Sequence, residues 1–113
     1  MKVAALVPPP GNSAPFEYRE ICALPDAPGC YALTNATTDI LYVGQASSLR
    51  RRLLEHFDAG RHRALTSDGR VSLMWTVAVE RLGTLSAHER GWLNQCELAD
   101  GVLPSLNKVH API

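Results

Sequence analysis

The sequence predicts an α/β fold of the α+β type: a small, mainly antiparallel three-stranded sheet flanked by helices. Three observations predict it. Two short apolar segments, residues 31–34 and 40–43, flank the turn-forming run Asn35-Ala36-Thr37-Thr38-Asp39, which is a hairpin pattern. Farther on, Val71, Leu73, Trp75, Val77 and Val79 alternate with Ser72, Met74, Thr76, Ala78 and Glu80, the period of a third strand. Two longer stretches, from Leu49 to about Ala59 and from about Leu85 to Ala99, carry helix start and stop signals.

Residues 1–15 are rich in Pro, Ala and Gly and read as an arm or ordered loop. Phe16 to Ala23 has roughly helical spacing of Phe16, Glu20-Ile21 and Ala23, which suggests a short helix. Pro25 and Pro28 bracket a turn that delivers the chain into Gly29, and Gly44 is read as the end of the second strand. Ser47 or Ser48 caps the following helix and Gly60 stops it. On that helix Leu49, Leu53 and Phe57 share one face, while Arg52 and His56, four residues apart, share the next. Residues 61–70 read as a loop and residues 104–113 as a closing segment. The expected division is an N-terminal arm and short helix over residues 1–24, then one domain over residues 25–113.

Bulk properties narrow the class. A length of 113 residues fits one domain with a single buried core. Apolar residues make up 46% and charged residues 19%, an ordinary globular balance. Cys22, Cys30 and Cys96 are scattered and odd in number, which argues against a disulfide framework or a zinc site and fits a reducing compartment. No stretch approaches the ~20 apolar residues that span a bilayer, so a cytoplasmic protein with no membrane role is expected. The net charge is zero, against the basic footprint usual for phosphate binding. The charge is uneven, however. Residues 50–63 hold Arg50, Arg51, Arg52, Arg61 and Arg63 with His56 and His62, opposed there by Glu55 and Asp58.

Two tripeptides, Gly29-Cys30-Tyr31 and Tyr42-Val43-Gly44, place tyrosines eleven residues apart. Arg52, His56, Glu89 and Asn107 follow in order. Together they resemble the GIY-YIG nuclease family, over roughly residues 25–108. The resemblance implies a metal-dependent endonuclease that hydrolyses DNA phosphodiester bonds, with branched or damaged DNA as the substrate class. It implies Tyr31 as the general base, Tyr42 as a group orienting water or phosphate, and Arg52 as the catalytic arginine. It further implies His56 as a proton relay from Tyr31, Glu89 as the metal ligand and Asn107 as a late residue orienting the site. Cys30 stands where an aliphatic residue is usual, and Gln45 where a lysine or small hydroxyl residue is frequent.

These residue types suit the chemistry. Phosphodiester hydrolysis needs an activated water, charge stabilisation and a protonated leaving group. Mg²⁺ (or Mn²⁺) takes as few as one or two protein carboxylates, so one well-placed glutamate suffices. An arginine forks onto two phosphate oxygens as lysine cannot. Gly44, Gln45, Arg50, Arg51, Arg61, His62 and Arg63 are the candidate substrate-binding residues. Glu89 has a second reading: Ser86-Ala87-His88-Glu89 matches a capping box, in which the glutamate only closes a helix start; with Thr84 as the cap, Glu89 clears the first turn. The partners expected are DNA and a homo-oligomer or second protein supplying specificity. The alternative function is a non-catalytic nucleic-acid-binding module of the same fold; zero net charge favours a third, a protein-interaction domain.

Overall fold

The computed structural model describes residues 1–110; the last three residues of the expected closing segment, 111–113, lie outside the described residues. Four strands form one antiparallel sheet: β1 (Asn12–Pro15), β2 (Gly29–Thr34), β3 (Ile40–Ala46) and β4 (Leu73–Ala78), in the order β1-β4-β2-β3. The helices are α1 (Tyr18–Cys22), α2 (Leu49–Asp58), α3 (Leu85–Asp100) and α4 (Ser105–His110).

The sheet has four strands, not three. Residues 12–15, read from sequence as part of an arm, pair with β4 from Asn12 opposite Thr76 to Pro15 opposite Leu73. Pro15 is tolerated because this is an edge strand, where a missing N–H breaks no inner ladder. The segment before it is also built in. Val3 and Leu6 are buried, and Pro8 accepts a hydrogen bond from Trp92 Nε1 at 2.9 Å. Gln95 clamps Val7 through both backbone groups, at 2.8 and 2.7 Å.

The hairpin forms as its sequence requires. Asn35 Oδ1 accepts from the backbone N–H groups of Thr37 (3.1 Å) and Asp39 (2.9 Å), an Asx-type turn. The second strand runs on to Ala46, so Gly44 lies inside it rather than at its end. Ser48 caps α2, accepting from Arg51 N–H at 3.3 Å. Gly60 follows in the left-handed region at φ 81°, where a side chain is disfavoured.

The period of two sends alternate residues of β2 to opposite faces, and both faces are covered. Tyr31 and Leu33 pack with Phe16, Leu49, Leu53 and Met74 on the α1–α2 side. Cys30 and Ala32 pack with Leu85, Trp92 and Cys96 on the α3 side. This double cover explains β4. Its expected apolar positions Trp75 and Val77 are only partly buried on the α3 side, while Met74 and Thr76, of the opposite parity, are buried deeper.

Candidate nuclease site

Tyr31 and Tyr42 come together through strand register. Tyr31 lies opposite Gly44, and Tyr42 opposite Leu33, so the two tyrosines are diagonal neighbours on one face. Their rings stack with centroids 6.0 Å apart. A side chain at Gly44 has no room: a Cβ there would collide with the Tyr31 ring and hydroxyl. Gly29 is similarly confined, since its Cβ would meet the Val77 carbonyl and the Leu49 side chain. The two motif glycines let a ring and a backbone approach the strands closely. Gly44, expected to touch substrate, is instead buried beneath Tyr31.

The face shared by Arg52 and His56 on α2 turns toward this pair. His56 is buried, with Nε2 2.6 Å from the Tyr31 hydroxyl and its ring edge-on to Tyr42 at 5.0 Å. Burial pushes the Tyr31 phenol far above its ordinary range, Tyr42 adds to the rise, and the Arg52 guanidinium beside it works against both. Tyr31 is therefore a neutral phenol at ordinary pH. Arg52, exposed at the other end of its reach, pairs with Glu55 at 3.3 Å.

Glu89 projects from α3 on the far side of the sheet end. The helix begins at Leu85 with Thr84 at its cap, so Glu89 clears the first turn and the capping-box reading fails. Its carboxyl is half-buried, and burial raises its pKa; a hydrogen bond from Gln45 and the charges of Arg52 and Arg90 lower it less. Gln45 Nε2 donates to Glu89 Oε1 at 3.3 Å and to Ser86 Oγ at 3.2 Å. Gln45, expected to touch phosphate, thus reaches the carboxylate first.

Asn107 fixes β3 from its open edge. Its Oδ1 accepts from Val43 N–H at 2.9 Å and its Nδ2 donates to the Val43 carbonyl at 3.0 Å. The side-chain amide takes the place of a neighbouring strand between Tyr42 and Gly44.

The basic residues divide. Arg51 and Arg52 line a cleft of about 390 Å³ with Gln45, Ser47 and Glu55. Arg50 turns toward Asp26 at 3.8 Å. His62 does not face this cleft. It stacks on Phe57 at 4.1 Å, and burial, with Arg63 second, lowers its pKa. His62 is a packing aromatic here, because the turn after Gly60 folds it back against α2. Arg63 stays exposed beside it. Arg61 turns inward, its Nε donating to His56 Nδ1 at 3.1 Å. Sequence reasoning passed over Ser47 and Glu55. The spacing of Glu55, three residues after Arg52, was the available signal.

A hairpin that brings a Tyr and a Tyr-x-Gly under an arginine-bearing helix, with a glutamate on the helix after the last strand, defines a GIY-YIG-type domain. The UvrC-like GIY-YIG domain family matches residues 27–89, more than half of the chain, and the chain belongs to that family. Among curated relatives, UvrABC system protein C of Anaeromyxobacter dehalogenans (strain 2CP-C) is 49% identical over 43 residues, covering 38% of this chain and 6% of that protein. The same protein of Protochlamydia amoebophila (strain UWE25) is 35% identical over 63 residues, covering 56% of this chain and 9% of that protein. The matched region is thus a small part of those relatives. The fold is similar to the GIY-YIG N-terminal endonuclease domain of Thermotoga maritima UvrC bound to its catalytic divalent cation, magnesium. That match has a TM-score of 0.56 at 20% identity, covering 79% of this chain and 92% of the other.

Proposed function

We propose that this chain is a metal-dependent endonuclease that hydrolyses DNA phosphodiester bonds in branched or damaged DNA. The observation that carries the proposal is that Arg52, in the cleft wall, links both halves of the site: its guanidinium lies beside the Tyr31 phenol that His56 holds, and its charge reaches the half-buried Glu89, which is bonded to Gln45 of the same cleft. Glu89 fits a hard cation. Its carboxyl is desolvated and held by an amide rather than a formal positive partner, so a divalent ion would favour its charged form. Among the described residues no cluster of three or more His, Cys, Asp or Glu is placed to hold a metal. That suits Mg²⁺, which takes few carboxylates and keeps water and phosphate for its other positions. When bound, the ion supplies Lewis-acid polarisation and lowers the pKa of water.

The chain's own residues do the rest. Arg52 holds phosphate oxygens and stabilises the charge that develops on them, at the expense of its pairing with Glu55. Tyr31 takes a proton from the attacking water only as the phenolate, its own proton having first been lost to solvent; the Arg52 guanidinium favours that form and burial opposes it. Tyr42 and His56 hold that ring in place, and Asn107 holds the strand beneath it. Arg51 and Arg63 contribute phosphate contacts, with the cytoplasm as the place of action. Among the described residues, no helix is long and apolar enough to cross a membrane. Gln45, occupied with Glu89, favours a second reading, a non-catalytic nucleic-acid-binding module. The test is cleavage of labelled duplex, nicked, flap and branched DNA with Mg²⁺ or Mn²⁺. Cutting should vanish in Glu89→Ala and with a chelator. A folded protein that binds these DNAs and cuts none of them refutes the nuclease reading and supports the second.

A further inference from the structure

His56 has two ring nitrogens, and both are engaged. Nε2 lies 2.6 Å from the Tyr31 hydroxyl, and Nδ1 takes an N–H from Arg61 Nε at 3.1 Å. The second bond decides the direction of the first. A guanidinium has donors and no acceptor, so Nδ1 must present its lone pair. The ring proton of the neutral imidazole then sits on Nε2, and the histidine donates to the Tyr31 oxygen. In the opposite tautomer Nε2 would accept the phenol proton, and the phenol would spend that proton on histidine.

We propose that Arg61 is a positioning residue that fixes His56 in its Nε2–H form, so that the Tyr31–His56 bond runs from histidine to phenol. This arrangement leaves the phenol proton outside that bond and puts a donor in place for the phenolate. It differs from the relay expected from sequence, in which His56 takes the proton of Tyr31. The local fold explains the reach. Gly60 in the left-handed region ends α2 and turns the chain back, bringing Arg61 against a histidine five residues earlier. Its guanidinium also lies 5.8 Å from the centroid of the Tyr42 ring. The catalytic value of the device rests on the nuclease reading above; the tautomer itself does not.

The experiment is long-range proton–nitrogen correlation NMR on the ¹⁵N-labelled full chain at neutral pH, which reads the tautomer of His56 directly. Wild type should show the Nε2–H pattern. Arg61→Met should move His56 toward the Nδ1–H form, and Arg61→Lys, whose ammonium donates and cannot accept, should restore the wild-type pattern. Steady-state cleavage gives the second readout. In Arg61→Met, kcat should fall at least about tenfold, the scale of losing a group that orients a catalytic histidine. KM for DNA and its salt dependence should stay unchanged, and Arg61→Lys should regain most of the rate. An Nδ1–H form in wild type, or an unaltered tautomer in Arg61→Met, overturns the proposal. So does a loss that appears in DNA affinity with the salt slope reduced by about one, the signature of a phosphate-contacting arginine. Should Arg61→Met not fold, the wild-type and Arg61→Lys spectra still decide. Absence of cleavage by wild type would refute the nuclease reading while leaving the spectra to judge the tautomer.

Discussion

Gly44→Ala places one methyl where the Tyr31 ring and hydroxyl already lie. Two effects oppose each other. Removing a strand glycine returns about 0.5–1 kcal/mol of backbone entropy. Overpacking a well-packed core costs about 1–3 kcal/mol. The ring cannot swing aside cheaply, because it is fully buried, stacked on Tyr42 and bonded to His56. Overpacking therefore wins, and a net loss of about 1–2 kcal/mol is expected. At this chain length that lowers Tm by about 3–10 °C. The assay is thermal and urea unfolding of wild type, Gly44→Ala, Tyr31→Leu and the double variant. With the ring gone, the same methyl should be neutral or stabilising, giving a coupling energy of about 1–3 kcal/mol. Equal cost of Gly44→Ala in both backgrounds would refute the reasoning, since the collision partner would then be something other than Tyr31.

Three further outcomes follow from the geometry. Asn107→Ala removes two hydrogen bonds to Val43 and should cost about 1–3 kcal/mol in urea unfolding; Asn107→Asp should be no milder, because it sets a carboxylate oxygen against the Val43 carbonyl. Glu55→Gln frees the exposed Arg52 from its pair, so stability should change by less than about 1 kcal/mol while KM for DNA falls; an unchanged KM would mean Arg52 is not restrained by Glu55. Asp39 is held down to about pKa 2 from 3.8 by hydrogen bonds from Asn35, Lys2 and Thr37. A depressed carboxyl gives stability above its ordinary pKa that is lost as pH falls toward its folded value. Wild type should thus lose stability between about pH 4 and 2, and Asp39→Asn should be less stable at neutral pH yet flatter across that window.

The site was legible where its residues are fixed by local spacing. A hairpin in this register brings Tyr31 and Tyr42 onto one face, and a helix begun at Ser48 carries Arg52 and His56 round together. What stayed hidden depends on contacts between distant segments. Asn-Ser-Ala-Pro has none of the β-branched or aromatic residues that mark a strand, and residues 12–15 pair only because β4 offers them an open edge. Val3 and Leu6 look like a terminal arm until the α3 side of the sheet needs covering. His62 and Arg61 read alike as basic loop residues. One turn after Gly60 sends the first against Phe57 and the second against His56, which no composition argument distinguishes.

The period of two also explains how so small a sheet joins two halves of a site. On the β2–β3 ladder, Tyr31 pairs with Gly44 and faces α2, while the next pair, Cys30 with Gln45, faces α3. One register step thus separates the phenol from the amide that holds Glu89. The Gln45 bond places the Glu89 carboxylate on that second face, where burial raises the Cys30 thiol to about 11 and Glu89 adds to the rise. Arg52, coming from the first face, still lowers the pKa of Glu89. The two faces therefore sense each other around the β3 end, and a phosphate held by Arg52 would lie within the field of a cation held by Glu89. A slip of the hairpin by one residue would exchange the faces of Tyr42 and Val43 and of Gly44 and Gln45. The glycine under Tyr31, the Asn107 clamp on Val43 and the Gln45 bond to Glu89 all oppose that slip, so the residues that build the site also hold its register.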